Sequence, residues 1–448
     1  MKSLVSPQFL QHIHAHPQWA FAQKICDTLT DKGFEAVLAG GCVRDAIMDR
    51  VAKDLDIATD ATPDQVESLF QAWNPVLVGK AFGVIVLPTA AGPIEIATFR
   101  KDGEYLDGRR PSSVEFSNLE EDAIRRDFTV NALFYRPKTL EVLDFVNGQE
   151  DIRSATLRAV GEPQKRFQED ELRILRAIRF SGQLGFRIEP ATFAAITEMA
   201  TEISKRPLER RGEWVSRERV RDEVDKMLMV KNPKLAFDNL NHAGLGELVF
   251  ENWASAILPV RDHVFQPVTL EARRLALFYR LLQRFSIEQV QEKLSNWKYG
   301  RPFIDTAVWF MRYEKELRTS APDPAKDLVS RETIVQEFRE KFEADRRAKE
   351  SKRDECRHFT AIERDWMTAL EHWTDGRAPV ALEVLDAIYD PDTRRAGALK
   401  RRGLLLGKED EVRARAHDLE GLELQGPNLG RELRRLTREI LLKAARSS

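Results

Sequence analysis

The segment Gly40-Gly41-Cys42-Val43-Arg44-Asp45, followed shortly by Asp54-Leu55-Asp56, sets a glycine turn just upstream of two carboxylates. Outward-facing N–H groups at such a turn favour phosphate oxygens. Two acids together with substrate phosphates make the oxygen set that Mg²⁺ prefers. The pairing points to nucleotidyl transfer. The apolar run at 35–39 reads as a buried strand and 43–48 as the start of a helix, so the glycines fall at a strand-to-helix turn. Asp54 and Asp56 stand at i and i+2, which on a strand directs both side chains to one face. At 93–99 the isoleucines alternate with Glu95, and a second strand supplies a third acid among hydrophobic neighbours. In a two-metal scheme with ions about 3.5–4 Å apart, one activates the attacking hydroxyl and the other steadies the departing pyrophosphate. Asp54 and Asp56 are the expected metal ligands, and Glu95 completes the site or acts beside the attacking 3′-hydroxyl.

Further along, residues 167–186 carry Leu172, Leu175, Ile178 and Phe180 at helical spacing, which predicts one helix with Asp170 and Arg173 a turn apart on one face. A carboxylate that accepts from an exocyclic amino group, beside a guanidinium that donates to a ring nitrogen, fits the Watson–Crick edge of C and A and rejects U and G. The bland alternative is a surface ion pair worth about 0.3–0.5 kcal/mol. Arg173, Arg176 and Arg179 recur every third residue with no acid at the intervening positions of that stripe, so the helix is expected to offer cationic charge to triphosphate or RNA phosphate. In Arg125-Arg126-Asp127 the aspartate is expected to pair with one of its neighbouring arginines or to join a nucleotide-contacting cluster.

The order of these motifs resembles the class II tRNA nucleotidyltransferase and bacterial poly(A) polymerase family, within the polymerase-beta-like nucleotidyltransferases. Beyond the acids, residues 100–111 resemble its flexible loop, Arg125-Arg126-Asp127 its Arg-Arg-Asp motif, and Glu169-Asp170-Glu171-Leu172-Arg173 its base-selecting motif. Val215-Ser216-Arg217-Glu218-Arg219-Val220 with Glu223 resembles its neck, Ser216 also being a candidate N-cap. Gly426-Pro427-Asn428-Leu429-Gly430 resembles its tail. The resemblance implies an α+β fold: a nucleotidyltransferase head with a mixed or antiparallel sheet over 1–150, then all-helical neck (151–235), body (236–322) and RNA-binding tail (323–448). It implies nucleotide binding by Gly40, Gly41, Arg44, Asp45, Arg125, Arg126, Asp127, Asp170, Arg173, Arg176 and Arg179, and Mg²⁺ held by Asp54 and Asp56. The implied reaction is template-independent addition and repair of the 3′-terminal CCA of tRNA from CTP and ATP, releasing pyrophosphate. The alternatives are an A-adding enzyme or poly(A) polymerase with the same chemistry, or a catalytically silent RNA-binding protein. Gly79-Lys80-Ala81-Phe82-Gly83 looks like the tRNA-enzyme form, and an intact loop at 100–111 argues against a CC-only enzyme.

Composition bounds the rest. A chain of 448 residues predicts two to four domains. Lys plus Arg (70) nearly balances Asp plus Glu (72), so any nucleic-acid surface must come from local clustering. Three scattered cysteines form neither a disulfide framework nor a Cys-x-x-Cys metal site, which suits a reducing cytoplasm. The sequence shows neither a signal peptide nor a membrane span, nor any sign of an obligate protein partner. His12, His14 and His16 lack acidic partners in sequence and read as incidental and solvated, and the dense charges at 331–358 as exposed helices. The segment 77–87 is expected to make a strand pair, and Pro322 and Pro324 to mark a linker.

Overall fold

The computed structural model describes residues 2–77, 79–103, 114–206, 214–250, 265–267, 269–319 and 384. The chain falls into two compact units, Met1–Ala254 and Ser255–Ser448. In chain order the first unit has strands β1 (Lys2–Leu4), β2 (Ala36–Ala39), β3 (Ile57–Thr59), β4 (Val84–Leu87), β5 (Ile94–Thr98), β6 (Arg100–Asp102), β7 (Val114–Phe116), β8 (Leu133–Arg136) and β9 (Glu141–Asp144). All but β6 and β7 join one mixed sheet in the order β1-β9-β8-β2-β3-β5-β4. Within it β3 and β5 run parallel, and the other neighbours are antiparallel. The head expected from sequence therefore carries its mixed sheet. Its edge strand β1 had no signal in three ordinary residues; it is recruited by pairing with β9.

Helices α1 (Pro7–His14) and α2 (Trp19–Asp31) lie between β1 and β2 in the chain, and α2 packs on β2 and β3. Next come α3 (Gly41–Ile47), α4 (Pro63–Leu69), α5 (Leu119–Ile124) and α6 (Gly148–Arg153). Local chemistry explains their starts: Thr62 and Gln65 form a reciprocal capping box ahead of Pro63, and Asn118 accepts from the Glu121 N–H. On one face of the sheet Val37, Ala39, Ala58, Phe134 and Leu143 pack with Leu119 and Ala123 of α5. The segment 77–87 gives one strand instead of a pair. Lys80–Phe82 coils into a 3₁₀ turn closed by Gly83 at φ +79°, and only Val76 bridges back to Val86.

From residue 163 the described part of the first unit is helical apart from the short strand β11: α7 (Pro163–Glu169), α8 (Leu172–Leu184), α9 (Pro190–Lys205), α10 (Arg217–Met229), α11 (Pro233–His242) and α12 (Gly246–Phe250). β10 (Thr156–Leu157) and β11 (Arg187–Ile188) form a small parallel pair around this region's start. The continuous helix expected over 167–186 is broken at Asp170, which is extended at φ −145°. The break is held because the Asp170 carboxylate accepts from the Leu172 N–H at 3.1 Å and from Arg219 at 2.8 Å. α8 packs against α10 and α11. Gly182 makes this approach possible, since a Cβ there would lie 2.7 Å from the Asn232 carbonyl and 2.8 Å from Ala236 Cβ. Ser216 occupies the N-cap position of α10, but its side chain makes no capping bond. Head and neck thus share one compact unit, joined through contacts such as Phe128 against Phe180 at 5.7 Å. In the second unit the described part comprises α13 (Leu270–Leu282), α14 (Ile287–Asn296) and α15 (Arg301–Thr319), with Phe278 set among Trp297, Tyr299 and Phe303. Most of the loop at 100–111, both proline markers, the 331–358 charges and the tail motif lie outside the described residues.

Candidate active site

Across the open face of β2, β3 and β5 the inward residues are Ala39, Ala58 and Ala97, whose small side chains leave space above the sheet. That space is a cleft of about 630 Å³ within the first unit, a size suited to a small-molecule ligand. All of the candidate residues named above, from Gly40 to Arg179, line it.

Three of them form an acidic wall. Glu95 projects from β5, where buried Ile94, Ile96 and Thr98 alternate with cleft-facing positions. Because Ile57 pairs with Ile96 in the parallel ladder, Asp56 and Glu95 come side by side, each one residue before that pair. Asp54 and Asp56 precede β3 and are not on a strand as expected. The Ala39 N–H donates to the Asp56 carbonyl at 2.9 Å, and upstream of that bond the chain leaves the sheet. Asp56 is accessible through the cleft yet surrounded by protein. Desolvation first, then the charges of Glu95 and Asp54, raise its carboxyl to about 6 against the opposing charge of Arg126. Among the described residues, no ion pair holds any of the three acids. Nor do three His, Cys, Asp or Glu side chains there close into a preformed cage. Carboxylates that repel one another and that no ion pair holds fit a divalent cation that takes its remaining ligands from substrate phosphates.

Beside this wall stands the glycine turn. Gly40 has φ +76°, and a Cβ there would lie 2.8 Å from Arg126 Nη1, so both backbone and space demand glycine. Its N–H donates to the Leu133 carbonyl at 2.8 Å and is taken up by the sheet, which leaves the first-turn N–H groups of α3 to face an anion. Arg44, 4% exposed, pairs with Asp45 at 2.8 Å and donates to Asn131 Oδ1 at 2.5 Å.

The opposite wall is arginine-rich, and each guanidinium already has an acid. Asp122, not Asp127, holds both Arg125 (2.6 Å) and Arg126 (3.0 Å). Burial alone would raise the Asp122 carboxyl, but the charges and hydrogen bonds of Arg126 and Arg125 outweigh it and hold it below the usual range. Asp127 instead reaches across to Arg176 at 2.5 Å and also accepts from Asn131. Its carboxyl is likewise held low, burial being outweighed by Arg176. Arg179 pairs with Glu223 at 2.6 Å and lies over the Phe180 ring at 4.0 Å. Arg173 pairs with Glu169 at 2.6 Å and donates to the Arg166 carbonyl at 3.0 Å. Asp170 and Arg173 therefore face one cleft without pairing with each other. The cationic stripe expected on α8 is neutralised: Arg173 by Glu169, four residues before it, and Arg176 and Arg179 by Asp127 and Glu223, which spacing along this segment could not reveal.

Sequence reasoning passed over the residues that hold the others in place. Asp122 sits in the acidic run Glu120-Glu121-Asp122, to which sequence reasoning gave no role, yet it is 1% exposed. Asn131 follows the Arg-Arg-Asp motif by four residues. Arg219 and Glu223 lie in the segment that resembles the family's neck, and they hold Asp170 and Arg179.

Known proteins match this geometry. The sequence fits the poly A polymerase head domain over residues 36–158, and over 185–257 a region described as the probable RNA and SrmB-binding site of polymerase A. It is 32% identical to the CCA-adding enzyme of Staphylococcus epidermidis over 352 residues, 73% of this chain and 85% of that one. Identity to the CCA-adding enzyme of Bacillus subtilis is 44% over 220 residues, which cover 49% of this chain and 52% of the relative. The crystal structure of the Bacillus stearothermophilus CCA-adding enzyme in complex with CTP superposes with a TM-score of 0.63 at 24% identity, covering 98% of this chain and 94% of that one. With the acidic wall, the glycine turn and the Asp170–Arg173 region on one cleft, and a relative matched over most of its length, the chain belongs to the class II tRNA nucleotidyltransferase and poly(A) polymerase family and within it resembles the bacterial CCA-adding enzymes.

Proposed function

We propose that this protein builds and repairs the 3′-terminal CCA of tRNA, adding C and A from CTP and ATP without a nucleic-acid template and releasing pyrophosphate. The observation that carries the proposal is the meeting, on one cleft, of three acids that no ion pair holds with Asp170 and Arg173, each already paired to a different neighbour, Arg219 and Glu169. Asp54 and Asp56 would hold Mg²⁺, which supplies charge stabilisation for in-line phosphoryl transfer when bound with the nucleotide. Glu95 completes the acidic set or stands beside the attacking 3′-hydroxyl. The α3 end and Arg44 face the triphosphate, and Arg125 and Arg126, oriented by Asp122, frame it. Asp170 accepts from the exocyclic amino group of C or A, and Arg173 donates to the ring nitrogen. Arg219 and Glu169 fix their directions, so the reading edge is set before the nucleotide arrives. Residues 1–150 carry the chemistry, 151–235 the base selection, and 323–448 the tRNA binding, with 236–322 as the body. Among the described residues no helix is long and apolar enough to cross a membrane. Cys26 and Cys42 are buried free thiols, which suits the cytoplasm.

The test is incubation with tRNA transcripts lacking CCA, ending in CC, or complete, supplied with CTP, ATP or both. The expected products are CC from CTP alone on the first, A on the second and nothing on the third. An enzyme that lengthens every transcript with A and ignores CTP would place the protein with the poly(A) polymerases instead.

A further inference from the structure

Two buried polar side chains outside the cleft lining grip the backbone that carries the acids. His16 and Gln18, in the turn between α1 and α2, are 6% and 4% exposed. His16 Nδ1 accepts from the Gln18 backbone N–H at 3.1 Å, so Nε2 bears the ring proton and donates to the Lys53 carbonyl at 3.1 Å. The Gln18 side chain donates from Nε2 to the Pro93 carbonyl at 2.7 Å and accepts at Oε1 from the Leu55 N–H at 3.2 Å. One amide thus spans the residue between Asp54 and Asp56 and the residue two before Glu95. The histidine holds the residue just before Asp54. A Cβ at Gly92 would lie 3.3 Å from Gln18 Nε2, so glycine there lets the approach to β5 come down onto the amide.

The geometry points to His16 and Gln18 as positioning residues that set the Asp54–Asp56 segment against the Glu95 strand and so fix the spacing of the acidic wall. This rests on the nucleotidyl-transfer reading above. A buried amide must be hydrogen-bonded wherever it sits. What distinguishes Gln18 is where its two ends go: to the two segments that carry the acids, one of which has left the sheet and lacks a ladder to hold its register. The histidines that looked incidental in sequence thus include one built into the fold.

The experiment compares full-length wild type with Gln18→Met, which removes both ties at similar volume, and Gln18→Glu, which keeps the acceptor for Leu55 but loses the donor to Pro93. Binding of Mn²⁺ alone is measured by electron paramagnetic resonance, amide exchange at Leu55 and along β8 by mass spectrometry, and incorporation under single-turnover conditions. Gln18→Met should bind Mn²⁺ about tenfold more weakly, the usual effect of removing a group that orients metal ligands. Its Leu55 amide should exchange faster while β8 stays protected, and its rate should fall with the apparent CTP affinity and tRNA affinity unchanged. Gln18→Glu should keep Leu55 protected and fall between the two in Mn²⁺ binding, and it carries the test should the methionine variant fail to fold. Wild-type Mn²⁺ binding in the variants, or faster exchange spread evenly over β8, would overturn the positioning role. A wild-type chain that binds Mn²⁺ but transfers no nucleotide would sink the functional reading, while the binding and exchange measurements still decide this one.

Discussion

The two walls of the cleft treat charge in opposite ways. On the acidic side Asp54, Asp56 and Glu95 crowd one another, and desolvation together with that repulsion lifts Asp56 to about 6. On the other side Arg125, Arg126, Arg173, Arg176, Arg179 and Arg219 are each matched by a carboxylate from the protein. On the function proposed above, one wall takes its counter-charge from a cation and phosphates; the other is already paired within the protein. Charge that must be supplied with the substrate belongs to the chemistry, whereas charge already cancelled is free to specify direction. A guanidinium held by its own carboxylate presents its remaining N–H groups at fixed angles, which suits recognition of a base edge better than bulk attraction of phosphate.

The comparison breaks most visibly in the acids. Asp54→Ala or Asp56→Ala should lower single-turnover incorporation by about 10³-fold or more, since stabilisation of transition-state charge is lost. Filter binding of tRNA should stay at the wild-type level; incorporation within tenfold of wild type would remove these residues from the chemistry. On the arginine side the expected loss is in fidelity. Asp170→Ala and Arg173→Ala should each cut the preference for CTP and ATP over UTP and GTP by about 10²-fold, because a site built to pair polar edges rejects through unpaired groups. Arg219→Ala should cost about tenfold of the same preference, acting through Asp170. An unchanged nucleotide ratio in Asp170→Ala would return that residue to a structural role.

Stability sharpens the contrast, because the two walls should respond with opposite signs. Asp122→Asn leaves two arginines short of their shared buried partner and should cost about 3–5 kcal/mol in urea unfolding at pH 7. The folded Asp122 carboxyl is held below its ordinary value, so its contribution is present above the unfolded pKa and is lost as pH falls through the folded one. The deficit of the variant should therefore shrink on acidification. Asp56→Asn should do the reverse on a smaller scale, raising the melting temperature of metal-free protein at pH 7 by about 2 °C after allowance for solvent screening. Its folded carboxyl is raised to about 6 from the ordinary 3.8, so the wild type loses stability as pH rises through that range, and the advantage of the variant should vanish near pH 4. A drop in melting temperature at pH 7 would mean the acids are already compensated.

Much of the cleft was legible because its chemistry is local. Gly40-Gly41 between an apolar run and a helix, and Glu95 between two isoleucines, carry their geometry in a few neighbouring residues. What spacing could not show is what comes from elsewhere in the chain. Helical periodicity ran through Asp170 because Leu172, Leu175 and Ile178 keep their phase, while the break depends on Arg219, forty-nine residues on. Arg176 and Arg179 looked open for the same reason: Asp127 and Glu223 are distant in sequence, whereas Glu169 stands only four residues before Arg173. Asp122 was hidden by two acidic neighbours, although of the three only it lies on the buried side of α5. His16 lacked partners in sequence because its partner is a backbone carbonyl, which no residue type announces.

The most direct test of the account places both walls in one reaction. Wild type, Asp56→Asn and Asp170→Ala are incubated with tRNA lacking CCA and all four nucleotides at equal concentration, and the 3′ ends of the products are sequenced. Wild type should add C, C and A and stop, Asp56→Asn should leave the transcript unextended, and Asp170→Ala should extend it slowly with U and G among the added residues. Extension by Asp56→Asn at the wild-type rate, or faithful CCA from Asp170→Ala, would contradict the division of labour between the two walls.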